Sequence, residues 1–272
     1  MKYPSITELV LRDGQQSLIA TRMRLSDITP ILSKLDNVGF SSLEMWGGAT
    51  YDCCLRFLNE DPWERLKVIK SNIKNTQLQM LLRGKNLVGY KKYDETVIDL
   101  FINKSSENGI DIFRIFDALN DINNIVYSIE CANKYNANSQ GTISYTTSPV
   151  HNEKYWLKLA KDIEDAGAKS LGIKDMAGLL KPKTAYNLIK KLKRNLSIPI
   201  HLHTHATTGL SDATNYKAYE AGVDNIDTSI SSFSNLYAHT ATESLITMIY
   251  DENDNPFNIC LLYTSPSPRD KR

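Results

Sequence analysis

The chain has 272 residues, 42% apolar and 23% charged, which suits one large α/β barrel or two small domains. Thirty-two Lys and Arg against 31 Asp and Glu leave a formal net charge of +1, so no global field draws it to nucleic acid or an anionic membrane. No apolar run approaches the roughly 18 residues of a membrane-spanning helix, Met1–Thr7 lacks signal-peptide character, and Cys53, Cys54, Cys131 and Cys260 show no C-x-x-C spacing, which points to a reducing cytoplasm.

Strand-like runs begin near residues 6, 41, 77, 110, 140, 169, 198 and 224, spaced by about one βα unit. Helical stretches fill the gaps at Asp27–Val38, Trp63–Ile73, Asp94–Asn108, Ile122–Asn136, Asn152–Ala166, Pro182–Leu196, Ser211–Ala221 and His239–Tyr250. Asp94, Asp121 and Asn152 are cap candidates, and Pro182 suits a first helical turn. Gly39, Gly109, Gly167 and Gly222 mark four of the helix-to-strand joints. Eight alternations predict a closed TIM (β/α)8 barrel of eight parallel strands ringed by helices, over residues 1–251. An open doubly wound sheet is the alternative, although no G-x-G-x-x-G follows the first strand. The pattern lapses after Asp251, and residues 252–272 read as a non-native or disordered tail. Its last stretch, C-L-L-Y-T-S-P-S-P-R-D-K-R, has the look of a translated sequencing adapter or a flexible terminus.

In such a barrel the chemistry sits at the C-terminal ends of the strands. Strand one ends L-V-L-R-D-G-Q-Q-S, where alternation would place Leu9, Leu11 and Asp13 on one face. Strand two ends S-L-E-M-W-G-G-A-T, and its Glu44 could pair with Arg12. Strand three delivers Arg83 on the Gln77, Gln79 and Leu81 face, where its guanidinium could hold a substrate carboxylate bidentately or form an ion pair at the barrel mouth. Strand six ends in Lys174, preceded on its face by the small Gly172 and Ser170. Lys174 is open to three readings: a catalytic amine, a carbamate formed with CO₂, or a salt-bridging residue at a strand edge.

Strand seven carries the sharpest signal. His201, His203 and His205, three of only five histidines, alternate with Leu202 and Thr204 and share one face. Imidazoles at i and i+2 can share a divalent ion, and an H-x-H pair can equally be structural. Asp13 and Lys174 on neighbouring strands tip the balance towards metal, with His203 and His205 as ligands and His201 one layer deeper. Cys53, Cys54, Trp46, Trp63 and Trp156 read as packing residues.

The motifs R-D-G-Q-Q-S-L-I-A-T-R-M-R, L-E-M-W-G-G-A-T, L-L-R-G-K-N-L-V-G-Y, F-R-I-F-D-A-L-N-D, K-D-M-A-G-L-L-K-P and H-L-H-T-H-A-T-T-G stand here in one order. Together they resemble the carboxyltransferase barrel of biotin-dependent enzymes, the oxaloacetate decarboxylase α subunit and pyruvate carboxylase among them. The resemblance spans about Ile6–Tyr250. It implies one divalent ion (Zn, Mn or Co) held by Asp13, His203, His205 and a carbamylated Lys174. It also implies Arg83, Arg12 and Gln16 around the keto acid, with Glu44 orienting Arg12. The activity implied is carboxyl transfer between oxaloacetate or pyruvate and biotin carried on another domain or subunit.

The same resemblance implies a homodimeric parent, with membrane decarboxylase subunits as a further candidate partner. This chain departs from the family at Gly14-Gln15, where many members carry Ala-His, and in the loop S-F-S-N-L-Y-A-H-T-A-T-E at Ser232–Glu243. The family's proton-shuttling threonine after the barrel and its A-M-K-M biotin-attachment motif have no counterpart here, so the expectation is a fragment with impaired turnover. An aldolase-type metallolyase or acyl-CoA condensing enzyme of the same barrel superfamily is the alternative activity, and an inactive fragment the third reading.

Overall fold

The computed structural model describes residues 2–251 and 254–259. Eight parallel strands close a barrel in sequence order: β1 (Ser5–Glu8), β2 (Ser42–Gly47), β3 (Gln77–Leu82), β4 (Ile112–Phe116), β5 (Asn138–Ser144), β6 (Ser170–Asp175), β7 (Ile200–Thr204) and β8 (Asn225–Thr228). β8 pairs back onto β1, with Ser5 opposite Asn225 and Glu8 opposite Thr228. Asp94, Asp121 and Asn152 each accept a backbone N–H at the head of their helices, so those helices start where their capping chemistry says.

Alternation sorts the strands into two faces. Leu78, Phe113, Ile143, Leu171, Leu202 and Ile226 point outwards, fully buried under the helices. The inward positions are unusually polar: Glu44, Gln79, Arg114, Gln140, Lys174, His203 and Asp227 are all buried. A bulge between Glu44 and Trp46 lets β2 send Glu44 inwards and Trp46 outwards, where its ring lies 5.1 Å from that of Trp63. Cys53, Cys54 and Cys131 are free and buried, and Trp156 is buried, in keeping with packing roles. No helix among the described residues is long and apolar enough to cross a membrane.

Three local departures matter. β1 stops at Glu8, and Val10–Gly14 wind into one π-helical turn, so Leu9, Leu11 and Asp13 do not share a strand face. Arg12 N and Gly14 N both donate to Leu9 O at 3.0 Å, and Gln15 staples the turn by donating to Leu11 O (2.8 Å) and accepting from Met23 N (3.0 Å). Gly14 abuts strand eight's exit, where a Cβ would come within 2.4 Å of Ser229 Oγ. Pro30 splits the expected first helix into Leu25–Ile28, a 3₁₀ turn Thr29–Ile31, and Leu32–Asp36. The last helix begins at Thr242, leaving His239 in the preceding loop.

Beyond Asp251, the described residues 254–259 lie against the barrel. The Phe257 ring sits 6.1 Å from Phe40 and 5.3 Å from Tyr250, and Asn258 N donates to Val38 O at 2.8 Å. The rest of the expected tail, Cys260–Arg272 included, lies outside the described residues.

Glu8 closes β1 in a wholly buried position. One of its oxygens accepts from Val10 N (2.9 Å) and Ile230 N (3.0 Å), and the Thr242 hydroxyl lies 2.7 Å from the other. Burial pushes its carboxyl up to about 8 from an ordinary 4.5, despite these donors. Between those values the folded chain holds a proton that the unfolded chain has released. Stability therefore falls as pH rises from about 5 to about 8 and levels off above. Glu8→Gln keeps the shape without the titration, so its denaturation free energy should slope less over this range; parallel slopes for the two proteins would refute the assignment.

Candidate metal centre and active site

Adjacent strands bring the site together. Lys174 on β6 and His203 on β7 are paired in register, and the π-helical turn after β1 carries Asp13 to the same point. Asp13 Oδ2 lies 3.2 Å from His203 Nε2, 3.6 Å from His205 Nε2, 3.4 Å from His239 Nε2 and 3.8 Å from Lys174 Nζ. The metal-competent atoms of Asp13, His203, His205 and His239 all fall within 4.8 Å of one another.

The far side of each ring decides what it presents to that point. Nδ1 of His239 lies 3.0 Å from Thr204 O, and Nδ1 of His205 lies 2.7 Å from Tyr237 O. A carbonyl oxygen can only accept, so each Nδ1 carries the proton, and in the neutral ring each Nε2 presents a lone pair. His203 Nδ1 sits 2.7 Å from Asp227 Oδ2, which assigns it the same tautomer. Burial lowers the His203 imidazole and brings His239 down to about 3, so both stay neutral. Burial alone would raise Asp13, but the positive charges of Arg12 and Lys174 outweigh it and hold the carboxylate ionised, well below its usual range.

Three bare imidazole nitrogens and a carboxylate oxygen thus face one another. His239 Nε2, fully buried, has no hydrogen-bond partner. Such convergence of acceptors is repulsive unless a cation sits among them, and a nitrogen- and carboxylate-rich set of this kind suits a divalent transition ion. Lys174 Nζ, 2.9 Å from His203 Nε2, is a donor set against one of these imidazole nitrogens. Burial, partly offset by Asp13, pushes its amine down to about 8.

A cavity of about 330 Å³ opens beside this cluster, lined by Arg12, Asp13, Gln16, Arg83, Lys174 and His205 among others. Arg12 lies flat in it: Nε donates to Glu44 Oε1 at 2.6 Å, Nη2 to Asp13 Oδ2 at 2.8 Å, and Nη1 faces Gln16 Oε1 at 3.4 Å. Arg83 stands just past β3, its Nη1 donating to Val88 O and Gly89 O, both at 3.0 Å. Gly48 makes room for this guanidinium, since a Cβ there would come within 2.6 Å of Arg83 Cζ. Gly84, by contrast, faces protein: its Cβ would strike Asn124 O at 2.3 Å, so it serves packing rather than substrate approach.

An HMGL-like family model matches residues 4–259. The chain belongs to the HMGL-like family. It is 54% identical over 241 residues to a pyruvate carboxylase subunit of Methanocaldococcus jannaschii, covering 89% of this chain and 42% of that protein. It is 51% identical over 246 residues to the methylmalonyl-CoA carboxyltransferase 5S subunit of Propionibacterium freudenreichii subsp. shermanii, covering 90% and 49% respectively. The carboxyl transferase domain of Rhizobium etli pyruvate carboxylase, solved with pyruvate, superposes with a TM-score of 0.90 at 41% identity, covering 94% of this chain and 45% of that one. The chain therefore spans under half the length of these relatives.

This HMGL-like barrel brings together all eight residues singled out from the sequence: Arg12, Asp13, Gln16, Glu44, Arg83, Lys174, His203 and His205. His201 lies one layer deeper, opposite Gly172 and Asn225 and outside the acceptor cluster. Sequence reasoning misses His239, Arg114 and Asp227. Periodicity assigns His239 to the start of a helix. Its signal is a further histidine in the long loop between β8 and the last helix. In that loop Asn235 and Leu236 take left-handed φ values of 61° and 50°, and His205 and His239 form a bridge across it.

Loaded with zinc, manganese or cobalt, the chain should retain about one ion by plasma mass spectrometry, and His203→Ala should lose it. His239→Ala should weaken binding at least on the order of tenfold, since removing even an outer partner of a metal ligand typically costs that much. Unchanged affinity in that variant would remove His239 from the centre.

Proposed function

We propose that this chain supplies the carboxyltransferase barrel of a biotin-dependent enzyme. It moves a carboxyl group between oxaloacetate or pyruvate and a biotin carried on another domain or subunit. One observation carries the reading: a single cavity, lined by two guanidinium groups, opens onto Asp13 and His205 of an acceptor cluster suited to a cation. The likeness to the Methanocaldococcus pyruvate carboxylase and to the methylmalonyl-CoA carboxyltransferase supports it over an acyl-CoA lyase of the same barrel type.

Arg83 receives the keto-acid carboxylate, its Nη1 already fixed by two carbonyls. Arg12, held by Glu44 and Asp13, turns its remaining edge and Gln16 towards the keto group. When the bond between C3 and the departing carboxyl breaks, its electron pair passes into the enolate, whose charge on the keto oxygen this preorganised positive charge stabilises. The carboxyl bonds to N1 of biotin and the N1 proton passes to C3, leaving pyruvate. A divalent ion (Zn, Mn or Co) held by Asp13, His203, His205 and Lys174 would supply Lewis-acid polarisation of the carbonyl.

For Lys174 we favour the carbamate. As an amine it is a donor against His203 Nε2, competing with a cation for that lone pair. Carbamylation would convert it to an anionic oxygen acceptor like its neighbours. The finer reading is an oxaloacetate decarboxylase type, in a cytoplasmic, homodimeric parent that could work with membrane decarboxylase subunits. Free, buried Cys53, Cys54 and Cys131 fit a reducing compartment.

Oxaloacetate loss should depend on added biotin and ignore acyl-CoA; the converse would favour the lyase reading. Lys174→Ala should lose metal and activity, with partial recovery in small carboxylates plus bicarbonate, and full activity without them would exclude the carbamate. Arg83→Lys should raise the keto-acid KM on the order of tenfold or more, because a point charge cannot reproduce the planar fork. An unchanged KM would refute that role.

A further inference from the structure

Glu44 and Asp227 stand behind the site, one holding Arg12 and the other holding His203. Arg114, on β4 and 1% exposed, lies between them. Its Nη1 is 3.0 Å from Glu44 Oε2 and also bonds Asp227 Oδ2; Nη2 donates to Asp227 Oδ1 at 3.0 Å, and Nε to Gln140 Oε1 at 2.5 Å. Gln79 Nε2 donates to the same Glu44 oxygen at 2.8 Å. The guanidinium thereby commits N–H groups from all three of its nitrogens, a geometry a lysine cannot copy.

The result is one continuous buried chain, Arg12–Glu44–Arg114–Asp227–His203, running across the barrel floor from the keto-acid clamp to the metal-facing imidazole. We propose that Arg114 is a positioning residue that sets both halves of the active site at once, the Arg12 guanidinium through Glu44 and the His203 ring and tautomer through Asp227. This inference rests on the functional reading above. Without Arg114, Glu44 and Asp227 become two buried carboxylates sharing one free space. Each would reorient away from the other or take up a proton, and both Arg12 and His203 would lose the acceptor that fixes them.

The test uses the full chain, equilibrated with bicarbonate. Zinc affinity is measured by competition with a chromophoric chelator, pyruvate affinity by calorimetry at saturating zinc, and site geometry by the visible spectrum of the cobalt-loaded protein. Arg114→Gln should lose about 10–100-fold in zinc affinity and on the order of tenfold in pyruvate affinity, with an altered cobalt spectrum. Asp227→Asn should lose mainly zinc affinity, and Glu44→Gln mainly pyruvate affinity. The Arg114→Gln/Asp227→Asn double variant should bind zinc no more weakly than the worse single, because both act through one path.

A folded Arg114→Gln protein that keeps both affinities within about twofold overturns the proposal. So does a uniform loss of both affinities in Asp227→Asn and Glu44→Gln alike, which would mean general loosening of the barrel floor. If Arg114→Gln fails to fold, Arg114→Lys carries the test: smaller losses in both affinities support the role, and none in either overturns it. A wild-type chain that binds neither zinc nor pyruvate sinks the functional reading together with this inference, whereas wild-type binding with retention in the variants sinks this inference alone.

Discussion

Proton placement on three imidazoles is the constraint on which the rest of the site depends. The carbonyls of Thr204 and Tyr237 and the carboxylate of Asp227 each take an Nδ1 proton, so three Nε2 lone pairs must point at Asp13. No rotation of a ring relieves this, because each is packed and tied from behind. The barrel has built a place whose electrostatic balance is completed by a positive charge. Lys174 provides one candidate from within the chain, and a divalent ion the other.

Charge counting across the floor leads to the same conclusion. Arg12 and Arg114 face Asp13, Glu44 and Asp227, so two fixed cations oppose three carboxylates. Burial would raise the carboxylates Glu44 and Asp227, but the two arginines overcome it for Glu44, and Arg114 and His203 for Asp227, and both stay ionised. Buried ion networks of this kind add little net stability compared with an apolar core, and removing one partner is costly. Their return here is orientation: Arg12 and His203 are each held by a carboxylate that Arg114 also holds. The outer shell of Leu, Ile and Phe under the helices supplies the burial that offsets such a polar interior.

Much of this is legible in the residues alone. The strand starts, the helix caps and the four glycine joints read correctly because each depends on a residue and its immediate neighbours. His203 and His205 are legible for the same reason, since period two is a local property of a strand. The errors are also local in cause. Alternation fails through Leu9–Asp13, where the backbone has already left the strand for a π-helical turn, and that turn is what lets the consecutive Arg12 and Asp13 both reach the cavity. Periodicity places His239 in a helix that in fact starts three residues later.

The sequence by itself determined the repeating βα architecture, the polar strand ends and many of the groups that meet there, because φ/ψ preference and side-chain periodicity act over a few residues. Only the tertiary structure decided how those groups face one another. The tautomer of His239 depends on a carbonyl of β7, that of His203 on a carboxylate of β8, and the pose of Arg12 on Glu44 of β2. Arg114, unremarkable within F-R-I-F-D, acquires its place because closing the barrel sets β4 across from β8 and within reach of β2. Lone-pair direction and charge pairing are set by partners from distant strands, and barrel closure is the event that brings those partners within bonding distance.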